Sequence, residues 1–486
     1  MNQITCPISE GAQKYPDQPV ILFGARAIVY AQLDQYVWAT VKYLKKLGVA
    51  SGGRVALVQT NCVESVIILL ALWRMGAVAC LLSTRLPEEN LIEQLRKLNV
   101  PVILSSLPEI ISSKKFRIRT FPLTQVINFD VRDFPIQETS FIPLDQEATI
   151  LFTSGSSGEA KAVVHTYGNH YQNARGANAN MPLQPGDRWL LSLPLYHVGG
   201  LGILFRVFLS GAAAVIPAPD LELSEAITKY RISHISLVPT QLYRILEKRN
   251  QPNPCASLKA ILLGGSGIPA LLLQKAIEHQ WPVYPTYGLT EMSSQVATCA
   301  EAVRDFTRLQ VKVLNGRQIK ISPQGEIWVQ GETLCKGYLI QDKIVLPLNE
   351  EGWFPTGDLG EIDDQGNLTV KGRMDRMFIS GGENIQPEEI EKRLCEIETI
   401  AAAVVIPVTD EEFGFRPVAF VRLQDDCQID LKEIRIYLEK ILPRFKIPDA
   451  FYLWPEEEST IKGIKVDRRL LQDFLFKKSN TIRKIS

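Results

Sequence analysis

Residues 153–161 read TSGSSGEAK, a run of hydroxyls and glycines that ends on a lysine. A loop of this kind can close backbone N–H groups around phosphate oxygens, with hydroxyls as extra donors and Lys161 as counter-charge. Thr153, Ser154, Gly155, Ser156, Ser157 and Gly158 are the candidate phosphate contacts. The spacing is not that of a Walker A loop, which needs Gly-Lys-Ser/Thr opening a helix. Here Ala148–Phe152 and Ala162–Thr166 both read as strands, which predicts a strand–loop–strand cradle. Taken alone, the segment is equally well explained as an exposed flexible turn.

Four further groups could act with it. The block YPTYGLTEMSSQ (284–295) offers Tyr287 for stacking on an aromatic base, flanked by Thr286 and Gly288. Thr290 and Glu291 supply the hard oxygens that Mg²⁺ prefers, although a glutamate at a helix start also complements the helix dipole. Gly264, Gly265 and Ser266 end a strand run, where missing side chains let a planar group approach the backbone. Asp358, in the turn TGDLG, has paired lone pairs for two ribose hydroxyls, or is an ordinary turn aspartate. Late in the chain, TIKGIKVDRR (460–469) carries Lys462 and Lys465. A lysine on a separate lobe can neutralise charge developing on phosphoryl oxygens, and a solvated basic tail is the plain alternative.

The segment SLPLYHVGGLG (192–202) places Ser192 and His197 between an apolar strand and a Gly-Gly turn. A lone histidine in such surroundings is more often a packed core residue than a catalytic one. Arg206 follows inside GILFRVFLSGAAAV, where an arginine either snorkels to water or faces an anion.

The elements that must hold these residues follow from the patterning. Strand runs at 55–59, 77–82 and 101–105 alternate with helical patterns at 62–75 and 87–98. The alternation resumes through strand runs at 189–193, 213–216, 235–238 and 260–263. Repeated βαβ predicts parallel sheets with helices on their faces, an α/β fold. After Gln310, short runs separated by Pro-Gln-Gly and Asp-Gln-Gly turns predict a small antiparallel β subdomain. A compact α/β pattern then begins near Met374, with helices predicted at 387–397 and 431–441 and strands at 401–406 and 418–423. The expected division is a large N-terminal domain, 1–374, and a small mobile C-terminal domain, 375–486. Arg373 and Asp375 fall at the junction, suited to a phosphate contact and a hinge.

Composition narrows the class. Fifty-three basic and 53 acidic residues among 486 give no net charge, which argues against a nucleic-acid binder. Hydrophobic residues at 46% and charged residues at 22% describe a globular protein able to bury large cores. The apolar stretch 66–83 is interrupted by Arg74 and Gly76, so stable membrane insertion is not expected. Residues 1–10 lack the basic and apolar regions of a secretory leader. Eight cysteines form no C-x-x-C pair and read as reduced core thiols of a cytoplasmic protein.

The ordered set, from Thr153–Lys161 through Tyr287–Glu291, Thr356–Asp358 and Gly372–Asp375 to the late lysine, resembles the adenylate-forming superfamily of acyl-CoA synthetases, peptide-synthetase adenylation domains and luciferases. The resemblance spans nearly the whole chain. It implies a rotating C-terminal domain and two half-reactions, with Mg²⁺ as cofactor and ATP and CoA as co-substrates. It also implies Ser154, Ser156, Ser157 and Lys161 on the β- and γ-phosphates and Glu291 on the metal. Thr290 then meets the α-phosphate, Asp358 the ribose and Tyr287 the adenine. Lys465 bridges the attacking carboxylate and the α-phosphate. One departure is that Ile464 separates Gly463 from Lys465, which keeps Lys462 open as the adenylation lysine.

The phrases SGSSGEAKAVVHT, SLPLYHVGGLGI and TYGLTEMSSQV look most like the branch of acid–CoA ligases that serves quinone biosynthesis, whose aromatic acid carries two carboxylates. This places Ser192, His197 and Arg206 about the acid, with Arg206 on the carboxylate that is not activated and His197 counted also with the catalytic groups. The expected partners are a small carboxylic acid, ATP and CoA, with a homodimer left open. A broad aryl- or fatty-acyl-CoA synthetase, a carrier-protein adenylation enzyme and a non-catalytic nucleotide-binding regulator are the alternatives.

Overall fold

The computed structural model describes the chain apart from residues 1, 87, 108–117, 128–138, 154–159, 249–254, 307–308, 381–382, 411–412, 425–429, 455–460, 463–464, 467 and 478–486. Its body is built on two large sheets. The first has eight strands in the order Lys343–Val345, Gly337–Ile340, Lys161–Thr166, Glu147–Thr153, Val78–Leu82, Arg54–Val58, Val102–Ser105, Arg119–Pro122. Its last five strands run parallel, and the pairings from Glu147–Thr153 out to Lys343–Val345 are antiparallel. The second has nine strands, parallel through Val283–Leu289, Ala260–Leu263, His234–Leu237, Arg188–Leu190, Ala213–Ile216 and Pro19–Phe23, with antiparallel strands at both edges.

Side-chain alternation along these strands sorts the core into layers. Val55 and Leu57 of the first sheet join Ile21, Trp189 and Ala214 of the second in one apolar cluster, filled out by helices Tyr30–Lys46, Val63–Arg74, Tyr167–Asn180 and Val198–Ser210. Their neighbours Ala56 and Val58 turn outward onto helix Glu88–Leu98. Leu190, Ile235 and Leu263 turn out on the far side, onto helices Leu223–Lys229, Pro239–Lys248 and Ala270–Glu278. The result is a helix–sheet–helix–sheet–helix stack. Strands buried on both faces read as unbroken apolar runs, so Ala213–Ile216 and Ala260–Leu263 coincide with their sequence runs.

The expected β subdomain is present as the antiparallel sheet Arg317–Ile321, Glu326–Gly331, Phe354–Ile362, Leu368–Arg373. It is not contiguous. Val311–Val313 completes the edge of the nine-stranded sheet, and Gly337–Ile340 leaves to pair with Lys161–Thr166, Tyr338 opposite Val163. That excursion covers an otherwise open edge.

Beyond Met374 a hairpin (Phe378–Ser380, Glu383–Ile385) and a three-stranded sheet (Ile400–Asp410, Gly414–Leu423, Ala450–Leu453) pack against helices Pro387–Leu394, Leu431–Ile441 and Arg468–Lys477. The buried clusters of this lobe draw on residues from Phe378 onward, and those of the body on residues up to Leu368. Helix Pro387–Leu394 stops three residues before its sequence pattern does, at Cys395, whose N–H closes on Glu391 O.

Candidate active site

Thr153 and Lys161 lie opposite each other at the open end of the antiparallel pair Glu147–Thr153 and Lys161–Thr166. Ser154, Gly155, Ser156, Ser157 and Gly158 lie outside the described residues. The pairing nevertheless makes the segment the connection of a hairpin, as the strand–loop–strand reading requires.

Lys161 does not stand apart. Its ammonium is 5.1 Å from the centre of the Tyr338 ring, and the Tyr338 hydroxyl donates to Glu291 Oε1 at 2.8 Å. Burial and the Glu291 carboxylate push the Tyr338 phenol above its ordinary range, so it remains a donor at neutral pH. Glu291 belongs to a 3₁₀ turn, Thr290–Met292, at the end of strand Val283–Leu289. Among the described residues no three His, Cys, Asp or Glu side chains converge as a metal cage. The single Glu291 carboxylate is a hard oxygen donor of the kind that would suit Mg²⁺ bound together with phosphate.

Two residues before Gly288 and Leu289, the same strand carries Thr286 and Tyr287. The Tyr287 hydroxyl donates to Asp358 Oδ2 at 2.7 Å, and Arg373 Nη1 donates to Asp358 Oδ1 at 2.9 Å. Desolvation and the neighbouring carboxylate hold the Tyr287 phenol well above its usual value. Arg373 also donates to Thr356 O at 3.0 Å and to both oxygens of Asp375 at 3.1 Å. The ribose candidate, the junction arginine and the hinge candidate thus form one ionic chain. Gln386 Nε2, from the smaller lobe, donates to Arg373 O at 3.0 Å.

Gly264 lies against Thr286, where an added Cβ would be 2.6 Å from Thr286 Cγ2, and Gly265 has φ +88°, so the backbone approach at this strand end requires glycine. Ser266 is exposed beside them. Thr286 itself turns inward: its hydroxyl donates to Ala297 O at 3.0 Å. Gly288 sits at a register shift in the pairing with Ser294–Cys299.

His197 is exposed at the N-terminus of helix Val198–Ser210, its ring 4.8 Å from that of Tyr196. The packed-core reading of His197 does not hold, because the chain turns outward before the helix begins. Ser192 donates its hydroxyl to Ser236 O. Asn61 clamps the intervening segment, donating to Leu191 O at 3.2 Å and Leu193 O at 2.8 Å and accepting from Leu195 N at 3.0 Å.

Arg206 does not snorkel. It is 2% exposed, with its guanidinium carbon 5.0 Å from the centre of the Trp189 ring. Its Nε has no hydrogen-bond partner, and among the described residues no carboxylate pairs with it. Burial and the charge of Arg317 pull its pKa down to about 9, leaving it cationic at neutral pH. Helix Val198–Ser210 packs most of its residues into the apolar core, so an arginine one turn from its C-terminus is held inside rather than reaching the outer surface. An unpaired buried cation costs far more than a hydrogen bond returns, and an anion beside this guanidinium would offset that cost.

Lys462 and Lys465 face each other in register across the short hairpin Ile461–Lys462/Lys465–Val466; their side chains are outside what is described. Downstream, Arg468 anchors this end of the chain on Glu391 Oε2 at 2.8 Å and on Val405 O at 2.6 Å, both in the smaller lobe.

Sequence reading missed Tyr338, Trp189, Arg317 and Asn61. Tyr338 sits in the apolar run GYLI and gives no local signal; only the return of its strand to the first sheet brings it to Glu291. The Asn61 clamp likewise joins elements of different sheets.

Residues 8–339 match the family of AMP-binding enzymes, and residues 389–463 match the AMP-binding enzyme C-terminal domain. The chain is 33% identical to a 2-succinylbenzoate–CoA ligase of Bacillus cereus over 89% of its own length and 91% of that protein's. In structure it resembles the o-succinylbenzoate CoA synthetase of Bacillus subtilis in complex with its acyl-adenylate intermediate, with a TM-score of 0.86, 28% identity and coverage of 97% and 99% of the two chains. The same Bacillus subtilis enzyme in complex with ATP and magnesium matches with a TM-score of 0.84, 29% identity and coverage of 97% and 100%.

Proposed function

Because the chain belongs to the AMP-binding enzyme family, we propose that it is an ATP-dependent ligase that joins 2-succinylbenzoate to CoA through an acyl-adenylate, a step of menaquinone or phylloquinone biosynthesis. A carboxylate oxygen of the acid attacks the α-phosphorus of ATP, and the bond from that phosphorus to the α,β-bridging oxygen breaks, releasing pyrophosphate. The thiolate of CoA then attacks the acyl carbon, and AMP leaves with the electrons of the acyl–oxygen bond.

In the first step the protein aligns reactants and neutralises charge. Lys161 and the 154–158 segment hold the β- and γ-phosphates, with Thr153, Gly264, Gly265, Ser266, Thr286 and Gly288 shaping the nucleotide pocket. Tyr287 lies along the adenine, Asp358 takes the ribose hydroxyls beside Arg373, and Thr290 meets the α-phosphate. Glu291 would hold Mg²⁺, which supplies charge neutralisation at the phosphates when bound. Lys465 approaches from the smaller lobe and bridges the attacking carboxylate and the α-phosphate. Domains 1–374 and 375–486 rotate about Asp375 between the half-reactions, withdrawing Lys465 and opening the thiol's path.

The observation that carries the substrate is Arg206, buried and without a carboxylate partner. 2-Succinylbenzoate brings two carboxylates, and the one that is not activated pairs with this guanidinium, with Ser192 and His197 at the mouth. A fatty or simple aryl acid leaves the cation unpaired. The test is pyrophosphate release across a panel of carboxylic acids, with and without CoA. Activity confined to acids with a second carboxylate supports the reading, and equal rates with benzoates and fatty acids would sink it. Lys465→Ala is expected to abolish adenylation while thioester formation from supplied acyl-adenylate survives.

No helix among the described residues is long and apolar enough to cross a membrane. The seven described cysteines are free thiols, in keeping with a cytoplasmic enzyme. Sedimentation would decide between a monomer and the homodimer this reading leaves open.

A further inference from the structure

Behind the site lies a polar chain that the reaction scheme above does not use. Thr149, His165 and His170 are at most 2% exposed, between the two large sheets. His165 Nε2 is 2.7 Å from Thr290 O, Thr149 Oγ1 is 3.4 Å from His165 Nδ1, and Thr149 Oγ1 is 2.8 Å from His170 Nε2. The two imidazole centres are 4.9 Å apart, and the His170 ring stacks on Phe205 at 5.1 Å.

Hydrogen positions follow from what each atom can do. A carbonyl only accepts, so His165 Nε2 carries its proton, and in a neutral ring Nδ1 is then bare. Bare Nδ1 needs a donor, which is the Thr149 hydroxyl. The Thr149 oxygen then accepts from His170 Nε2–H. The single group left over is His170 Nδ1, which has no partner. With the chain running this way the leftover is a bare lone pair. The reverse direction would strand a buried N–H, which is the rarer and costlier defect.

Thr149 lies on the strand entering the 154–158 segment, His165 on the strand leaving it, and Thr290 beside Glu291. We infer that His165 is a positioning residue: its Nε2–H fixes the Thr290 carbonyl, and so locks the turn bearing Glu291 to the two strands that flank the phosphate segment. The inference rests on the proposed role of Glu291 and adds to it the device that sets where its carboxylate stands. Within the turn Ser293 N donates to Thr290 O at 3.0 Å, and other elements hold its later residues: Cys335 N donates to Glu291 O at 2.7 Å, Asn173 Nδ2 to Met292 O at 2.9 Å and Ser293 Oγ to Thr333 O at 3.0 Å. The His165 contact is what ties the Thr290 carbonyl to the strands beside the phosphate segment, so its loss is expected to loosen the Thr290 end first.

Full-length His165→Leu, His165→Gln and Thr149→Val are compared with the parent in two readouts. Amide exchange in the substrate-free protein is expected to rise about tenfold for residues 289–293 in His165→Leu, with the rest unchanged. The magnesium concentration for half-maximal pyrophosphate release is expected to rise by a similar factor, while the acid KM at saturating magnesium holds within about twofold. His165→Gln keeps an N–H donor near the Nε2 position and restores most of both. Thr149→Val, which removes only the back support, gives about a threefold change in the same two quantities and remains readable if His165→Leu does not fold. Exchange rising evenly over the whole chain, or no recovery in His165→Gln, overturns the inference. Glu291→Gln separates the layers. If it leaves the magnesium dependence alone, the metal assignment falls and the positioning role falls with it. If it shifts that dependence and His165→Leu and Thr149→Val do not, the positioning role alone falls.

Discussion

Two arginines lie buried close to each other between the sheets, and their surroundings differ in kind. Arg317 is enclosed by backbone: Nε donates to Gln295 O at 2.9 Å, Nη1 to Asn315 O at 2.6 Å and Nη2 to Asn173 O at 2.9 Å. Every arm of that guanidinium stitches an irregular stretch of main chain. Arg206 lies on an aromatic face, with an orphaned Nε and the charge of Arg317 acting on it. One cation is bonded into the fold, and the other has an unpartnered Nε. Burial alone does not distinguish them; partner chemistry does.

The contrast can be broken in order of expected size. Arg317→Met strips donors from three carbonyls, two of them in buried bonds. It should lower the unfolding free energy by about 3–5 kcal/mol, with KM for ATP and for the acid moving together. Chemical denaturation with parallel kinetics would show this, and a selective loss for one substrate would erase the distinction. Arg206→Ala is expected to raise the acid KM on the order of 100-fold, near 2.7 kcal/mol, with KM for ATP almost still. The same site sharpens the comparison through stability: Arg206→Met replaces an unpaired buried charge by an apolar chain of similar reach. The substrate-free protein should then be more stable by about 1–2 kcal/mol, a sign opposite to Arg317→Met, read as a higher denaturant midpoint.

His234 provides the smallest probe. It stacks on Trp189 at 5.2 Å, and burial first, then the charges of Lys259 and Arg206, lower its pKa from 6.5 to about 4, against an opposing pull from Asp187. Below pH 6.5 the unfolded chain takes up this proton before the folded one does. The stability tied to a neutral His234 is therefore complete above about pH 6.5 and is lost as pH falls towards 4. His234→Gln should flatten the acid limb of stability by up to about 1.4 kcal/mol per pH unit. In Arg206→Met, the His234 titration followed by NMR should move up by a few tenths of a unit; an unmoved titration would separate the two sites electrically.

Much of the scaffold was legible because strands buried on both faces have no choice but continuous apolar runs, as at Val78–Leu82 and Ala260–Leu263. The 153–161 segment stands out in the sequence through glycine and hydroxyl density, and its centre lies outside the described residues. What stayed hidden was long-range pairing. Nothing near Tyr338 in the chain points to Glu291, and the His165 contact to Thr290 depends on how a hairpin of one sheet meets the end of a strand of the other. Arg206 was ambiguous for a related reason: snorkelling requires a nearby surface, and the sequence of one helix does not say that sheets lie on both sides of it.

The late return of Gly337–Ile340 to the first sheet has a consequence for biogenesis. A nascent chain that has not yet released this segment from the ribosome carries Lys161–Thr166 as a bare rim, with its main-chain donors and acceptors open to any passing polypeptide. Until it docks, Glu291 also lacks the Tyr338 hydroxyl. That contact therefore forms only once nearly the whole larger body has been synthesised.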